Sequence, residues 1–144
     1  LPSILSAPSS ARDAGKQATV NNIVTAMEQY YAANGSYPTA ASCLDGTADA
    51  TETALAAYFK GGIIPTLDAG SSKTPSPANV IPAGCTKFYY CPLAANRYFV
   101  GVAMENSGVG KSRYSAAAAV TCDGTAAASS LVTTTSTNVW GILN

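Results

Sequence analysis

The stretch Ala11-Arg-Asp-Ala-Gly-Lys-Gln-Ala-Thr-Val-Asn-Asn-Ile-Val-Thr-Ala-Met-Glu-Gln-Tyr-Tyr31 carries apolar residues at three- and four-residue steps. Ala11, Ala14, Ala18, Val20, Ile23, Val24, Met27, Tyr30 and Tyr31 fall on one stripe, with Arg12, Asp13, Lys16, Gln17, Asn21, Asn22, Glu28 and Gln29 between them. That period belongs to an amphipathic helix with one packed face and one solvated face. Its stop signal is Asn34-Gly35, because glycine readily takes the left-handed conformation that closes a helix, and Pro38 prevents resumption. Upstream, Ile4 and Leu5 stand between Pro2 and Pro8. Each proline removes an amide donor, so residues 1–10 are expected to form a kinked or melted helix start.

Working outward, Ser42 to Glu52 is small and polar, and Thr53 to Phe59 is expected as a short helix with Leu55, Tyr58 and Phe59 inward, ended by Gly61-Gly62. Gly70 to Pro82, with three prolines among Ser, Thr and Lys, reads as a surface loop. The period then changes to two. Thr86 to Cys91 is expected as a strand with Phe88 and Tyr90 on one face and Tyr89 and Cys91 on the other. Arg97 to Met104 follows with Tyr98, Val100, Val102 and Met104 together, and Arg113 to Cys122 alternates again as a third strand of an antiparallel meander. Leu131 to Thr135 is expected as a fourth strand, and Trp140, Ile142 and Leu143 form a final apolar anchor. A long helix followed by a group of antiparallel strands is an α+β arrangement in which the sheet covers one helix face. Val20, Ile23, Val24, Met27 and Tyr30 are the expected helix-sheet core. The first half of the helix offers mostly Ala and Ser, which suits close packing against another helix.

Composition excludes several functions. The 144 residues are 47% hydrophobic, enough for a real core, while eight Lys and Arg balance eight Asp and Glu for a net charge of +0. With 11% charged residues there is no basic run to neutralise nucleic-acid phosphates. The chain has no histidine, which removes Ser/His/Asp and Cys/His nucleophile pairs, His-bearing zinc sites and a histidine general base. About a fifth of the chain is Ala, and Ser plus Thr supply about another fifth, a composition typical of bacterial surface proteins.

Cys43, Cys85, Cys91 and Cys122 form an even set and read as two disulfides, implying an oxidising compartment. A four-thiolate zinc site would need closer pairs than the C-x5-C found here. Across an extended strand Cys85 and Cys91 would stand about 20 Å apart, against the roughly 4.4–6.8 Å that a bridge spans. An up-down-up meander brings Cys91 and Cys122 to one end of the sheet, so the expected pairs are Cys43 with Cys85 and Cys91 with Cys122. No apolar stretch approaches the roughly 20 residues of a membrane helix. A disulfide-forming chain that starts at Leu1 without an export signal is expected to have lost an N-terminal segment.

The remaining motifs reduce to structural readings. Gly108-Val-Gly-Lys-Ser112 resembles the end of a phosphate loop, but Glu105 stands where the first glycine is required and a strand follows, so it reads as a hairpin turn. Asp13, Glu28, Asp45, Asp49, Asp68 and Glu105 are scattered, without the spacing of an acid/base pair or a calcium loop. Tyr30-Tyr31 and Tyr89-Tyr90 read as core with hydroxyls at the rim. Asn34-Gly35-Ser36 fits the N-glycosylation pattern and doubles as the helix stop. Ser71 to Ser76 and Thr133 to Thr137 read as solvated segments, with O-linked sugars as the rarer alternative. No catalytic residue, cofactor or metal is expected.

The helix Ala11 to Tyr31, closed by Gly35-Ser-Tyr-Pro-Thr39, resembles the type IV pilins and type II secretion pseudopilins. Leu1-Pro2-Ser3 is similar to the region after that family's hydrophobic stem. Leu55 to Pro65 is similar to its short helix before a proline, and Tyr98 to Asn106 to its strand ending in Met-Glu-Asn. The peptidase site and the apolar stem with its glutamate are not in this sequence. The Asp-Pro-Trp-Gly calcium loop of the major pseudopilins is replaced by Thr66-Leu-Asp-Ala-Gly70, which favours a pilus subunit.

The resemblance implies a single pilin-like domain over 1–144, with its helix in 1–34, a connecting region in 35–82, and the sheet with a tail in 83–144. The function expected from it is that of a non-enzymatic subunit of an extracellular, cell-surface filament. Such a subunit would be membrane-anchored only through the missing stem, a homo-oligomer, and served by inner-membrane assembly machinery. Ile4, Leu5, Ala11, Ala14 and Ala18 are the expected filament-packing residues. The alternatives are a type II secretion pseudopilin, or a monomeric adhesion domain binding through Gly70 to Pro82 and Glu105 to Ser112.

Overall fold

A computed structural model describes residues 2–67, 69–75, 81–82, 84–93, 96–106, 119–120, 129–130 and 138–143. Helix α1 runs from Pro2 to Asn34. The melted start is not found, since the helix is continuous through Pro8. Pro2 lies in the first turn, where no amide bond is required, and Pro8 deprives the helix of one bond while the flanking turns carry it through. The end is where the sequence puts it: Gly35 has φ of 76°, and its amide donates to the Tyr31 carbonyl at 2.7 Å.

Four strands, β1 (Ser42–Leu44), β2 (Phe88–Leu93), β3 (Arg97–Ala103) and β6 (Val139–Leu143), form an antiparallel sheet in the order β1-β2-β3-β6. A separate pair, β4 (Ala119–Val120) and β5 (Ser129–Ser130), is also antiparallel. The neighbour of β3 is therefore β6, with Val102 opposite Trp140 and Gly101 opposite Gly141, in place of the meander strand expected from Arg113 to Cys122. That strand is described only at Ala119–Val120. The Gly108 to Ser112 turn and the Leu131 to Thr135 strand lie outside the described residues. Trp140 and Ile142, taken from sequence as an anchor, face the helix and complete the sheet.

The alternation in β2 and β3 holds residue by residue. Phe88, Tyr90, Tyr98, Val100, Val102, Met104 and Trp140 pack with Val20, Ile23 and Met27 of α1, with Val24 and Tyr30 partly buried against them. The opposite face gathers Tyr89, Cys91, Phe99 and Val139 with Ile81 and Cys85. Both faces of the sheet are buried, and apolar surface removed from water stabilises a fold by about 25 cal/mol per Å².

Helix α2 spans Ala50–Ala56, three residues earlier than its sequence pattern suggested. The cause is a cap in the segment read as small and polar. Asp49 accepts from the Glu52 amide at 2.8 Å and from the Ser42 hydroxyl. Glu52 turns back to accept from the Gly46 and Ala48 amides at 3.0 and 2.7 Å. These bonds satisfy donors that a short helix and its approach would otherwise leave bare. Asp49→Ala is expected to cost about 1 kcal/mol, read as a lower urea midpoint with an unchanged slope.

One disulfide, Cys43–Cys85, is present among the described residues, with Cα atoms 5.6 Å apart, and it joins β1 to the approach to β2. No described cysteine is a free thiol. Cys122, and with it the second expected pair, lies outside the described residues.

Candidate functional site

The buried edge of α1 reads Asp13, Lys16, Val20, Ile23, Met27 and, partly buried, Tyr30. The steps are three and four throughout, so two charged residues occupy core positions. This corrects the expectation that Asp13 and Lys16 lie on the solvated face. Ala11, Ala14 and Ala18 sit instead on the exposed side, about a quarter turn or more away. The apolar pattern alone drew the stripe through the alanines, whereas the sheet end requires polar partners at 13 and 16.

Those partners are backbone groups where β3 ends and where the connecting loop passes. Asp13 accepts from the Glu105 amide at 2.8 Å, the Asn106 amide at 3.0 Å and the Asn106 side-chain amide at 2.8 Å. The Lys16 ammonium donates to the Ser71 carbonyl at 2.6 Å and the Ala103 carbonyl at 2.8 Å, with Asp13 4.0 Å away. Burial lowers the Lys16 pKa, an effect opposed by Asp13. Outside this pair, Arg12 reaches Glu105 through two contacts and holds its carboxyl below the usual range. The 13 and 16 sites were findable by continuing the steps backward from Tyr30 through Val20.

At the other end of the helix the turn Gly35 to Thr39 is tied to the sheet. The Tyr90 hydroxyl donates to the Pro38 carbonyl at 2.6 Å, and Tyr37 packs edge-on to Tyr98 with ring centroids 4.7 Å apart. Tyr37 and Tyr98 donate to the Glu28 carboxylate, Tyr98 at 2.6 Å. Burial, and for Tyr98 also this bond to a carboxylate, pushes the Tyr90 and Tyr98 phenols well above their ordinary pKa. Asn34, of the glycosylation pattern, donates its amide to the Tyr30 carbonyl and to the Tyr58 hydroxyl.

The carboxylates singled out from sequence are thus engaged in the fold: Asp13 and Glu105 at the helix seam, Glu28 with tyrosines, Asp49 as a cap, and Asp45 on its own turn at Thr47. Asp68 lies outside the described residues. The Thr47 bonds lower the Asp45 pKa. An apolar cleft of about 450 Å³ lies between α2 and Ile63, and the acid lining it, Glu52, is the one bound to the Gly46 and Ala48 amides. Among the described residues no group of His, Cys, Asp and Glu side chains is arranged to hold a metal.

Among the described residues the outer side of α1 is open from Ala11 to Ala18: Ala11, Ala14, Gly15 and Ala18 are exposed, and beyond them Asn22 and Thr25 line a cleft against Tyr58 to Pro65. The backbone of Ile4 and Leu5 extends the same helix toward its N-terminus. No helix among the described residues is long and apolar enough to cross a membrane.

Fold and surface together define a class: an α+β protein that seats one edge of a long helix on an antiparallel sheet and presents the other. Residues 3–70 match the family model of the type II secretion system (T2SS), protein G. This match supports the pilin and pseudopilin family for the chain, a family of structural proteins. The matched model is a pseudopilin's, and it runs through Thr66 to Gly70, the segment whose sequence had favoured a pilus subunit. No curated protein and no solved structure matches the chain.

Proposed function

We propose that this chain is a structural subunit of a pseudopilin-type filament, a single pilin-like domain over residues 1–144 that assembles through its N-terminal helix. The observation that carries the reading is the placement of α1. Its polar and apolar edge is spent on its own sheet, and its small-residue side, Ala11, Ala14 and Ala18, is left outward. Small side chains let another helix approach closely. Head-to-tail contacts of one copy with the next generate an open helical fibre when the rotation does not close. Ile4 and Leu5 extend this contact, and the partners are further copies of the chain and the secretion machinery at the inner membrane. The second disulfide is Cys91–Cys122, which peptide mapping without reduction would reveal as one linked pair.

A subunit of an extracellular type IV pilus is the second reading. It is favoured by Thr66 to Gly70, which lacks the Asp-Pro-Trp-Gly loop, and by the pinning of the following chain by Lys16 at Ser71 and the disulfide at Cys85. Deleting the gene separates the readings. The pseudopilin reading expects loss of type II protein secretion with surface filaments intact. Loss of surface filaments in negative-stain microscopy selects the pilus. A deletion that changes neither contradicts both and leaves a monomeric adhesion domain.

A further inference from the structure

Helix α1 is anchored in two different ways along its length. From Val20 to Met27 it is held by fully buried Val20, Ile23 and Met27. From Ser9 to Ala18 the two buried residues are Asp13 and Lys16, both charged. What joins this part to the sheet end is a set of directed polar bonds. Ser9 meets the Asn106 side chain, Arg12 meets Glu105, Asp13 takes the Glu105 and Asn106 amides, and Lys16 takes the Ala103 and Ser71 carbonyls. Apart from Ala103, the last residue of β3, the partners lie in short stretches outside the strands, at Glu105 and Asn106 and in the 69–71 turn. Apolar packing loses free energy in proportion to the area exposed, and water replaces nothing. A hydrogen-bonded seam is different, because water can take over each donor and acceptor once the groups part.

We infer that residues 9–18 of α1, Glu105 and Asn106 after β3, and the 69–71 turn form a polar latch that opens as one unit while the helix from Val20 onward and the β3 end at Ala103 and Met104 stay seated in the sheet and core. Opening would free the N-terminal helical segment on both sides, and closure would fix it and organise two loops at once. Its use in presenting the helix to a neighbouring subunit rests on the filament reading. The opening is a property of the isolated chain.

Native-state hydrogen exchange on the soluble protein tests it. The amides of Ala14 to Ala18 and those of Glu105 and Asn106 should exchange with one common protection factor, at least about tenfold below that of Ile23 to Tyr30. Asp13→Ala should lower the first group by a further factor of about ten or more and leave the second unchanged. Asp13→Asn, which keeps an acceptor for the amides, should lower the first group less than Asp13→Ala does. Equal protection throughout α1 in the unmodified protein would overturn the latch, as would an Asp13→Ala variant in which Ile23 to Tyr30 lose protection as much as the seam. Failure of filament assembly with these exchange patterns intact would count against the filament reading alone.

Discussion

Replacing both Cys43 and Cys85 by serine is expected to lower the unfolding free energy by about 4 kcal/mol, the loop-closure value for a cross-link spanning 42 residues. The bridge ties β1, a three-residue edge strand, to the segment that enters β2. So short a strand is held by the β2 ladder from Ser42↔Tyr90 to Leu44↔Phe88, by Leu44 in the core, by the Ser42 bond to Asp49, and by the bridge itself. Without the cross-link the unfolded chain gains the freedom of the whole intervening loop. The variant should unfold at lower urea with a somewhat larger slope, because its unfolded state is less compact. A loss below about 1 kcal/mol would mean that the loop between the cysteines is already restrained in the unfolded chain.

Alanine at either Gly101 or Gly141 is expected to cost about 1–3 kcal/mol, the overpacking range for a filled core, and toward its upper end. The two glycines face each other across β3 and β6, and the Phe99 ring lies over both. A Cβ at Gly101 would overlap that ring and stand 3.0 Å from the Trp140 carbonyl oxygen; one at Gly141 would meet the ring and the Val100 carbonyl at 2.8 Å. Phe99 is fully buried, so the ring cannot yield by turning out to solvent without losing that burial. An aromatic residue covering strand glycines fills the surface they leave bare. In a Phe99→Leu background the same alanine substitution should cost less than about 1 kcal/mol, a coupling that a double-mutant cycle measures. Equal costs in the two backgrounds would place the conflict at the backbone carbonyls.

The parts of this fold that were legible in sequence are those governed by local rules. The close of α1 at Asn34-Gly35 and the two faces of β2 and β3 follow from glycine's conformational freedom and from alternation. What escaped was decided by distant partners. β1 is too short to display a period, and its Ser42 and Cys43 carry no strand signal until Tyr89, Tyr90 and Cys85 are beside them. The Asp49 and Glu52 caps were hidden among small polar residues, although Asp followed three positions later by Glu is a helix-start signature. β6 shows in sequence only as the apolar anchor Trp140, Ile142 and Leu143, and its Gly141 makes sense only under Phe99.

The candidate surface was legible in its residues and misread in its geometry. Ala11, Ala14 and Ala18 belong to one side of α1, as the pattern says, but that side turns away from the sheet. The sheet claims the edge through Asp13 and Lys16, since the backbone groups of Ala103, Glu105, Asn106 and Ser71 need a carboxylate and an ammonium in place. Buried charge of this kind is stable only when each group finds its partners. No property of residues 11–18 by themselves announces those partners.

The central claim, that the outward side of α1 meets other copies of the chain, is tested most directly by Ala14→Asp. Ala14 is exposed, so the substitution should leave the circular dichroism spectrum and the urea midpoint of the soluble domain unchanged. A charge at that position would be desolvated wherever a neighbouring helix covers it. Cells carrying the variant as their sole copy should then lose type II protein secretion on the pseudopilin reading, or surface filaments in electron micrographs on the pilus reading. Normal secretion together with filaments of normal number and length, from the folded variant, would contradict the account.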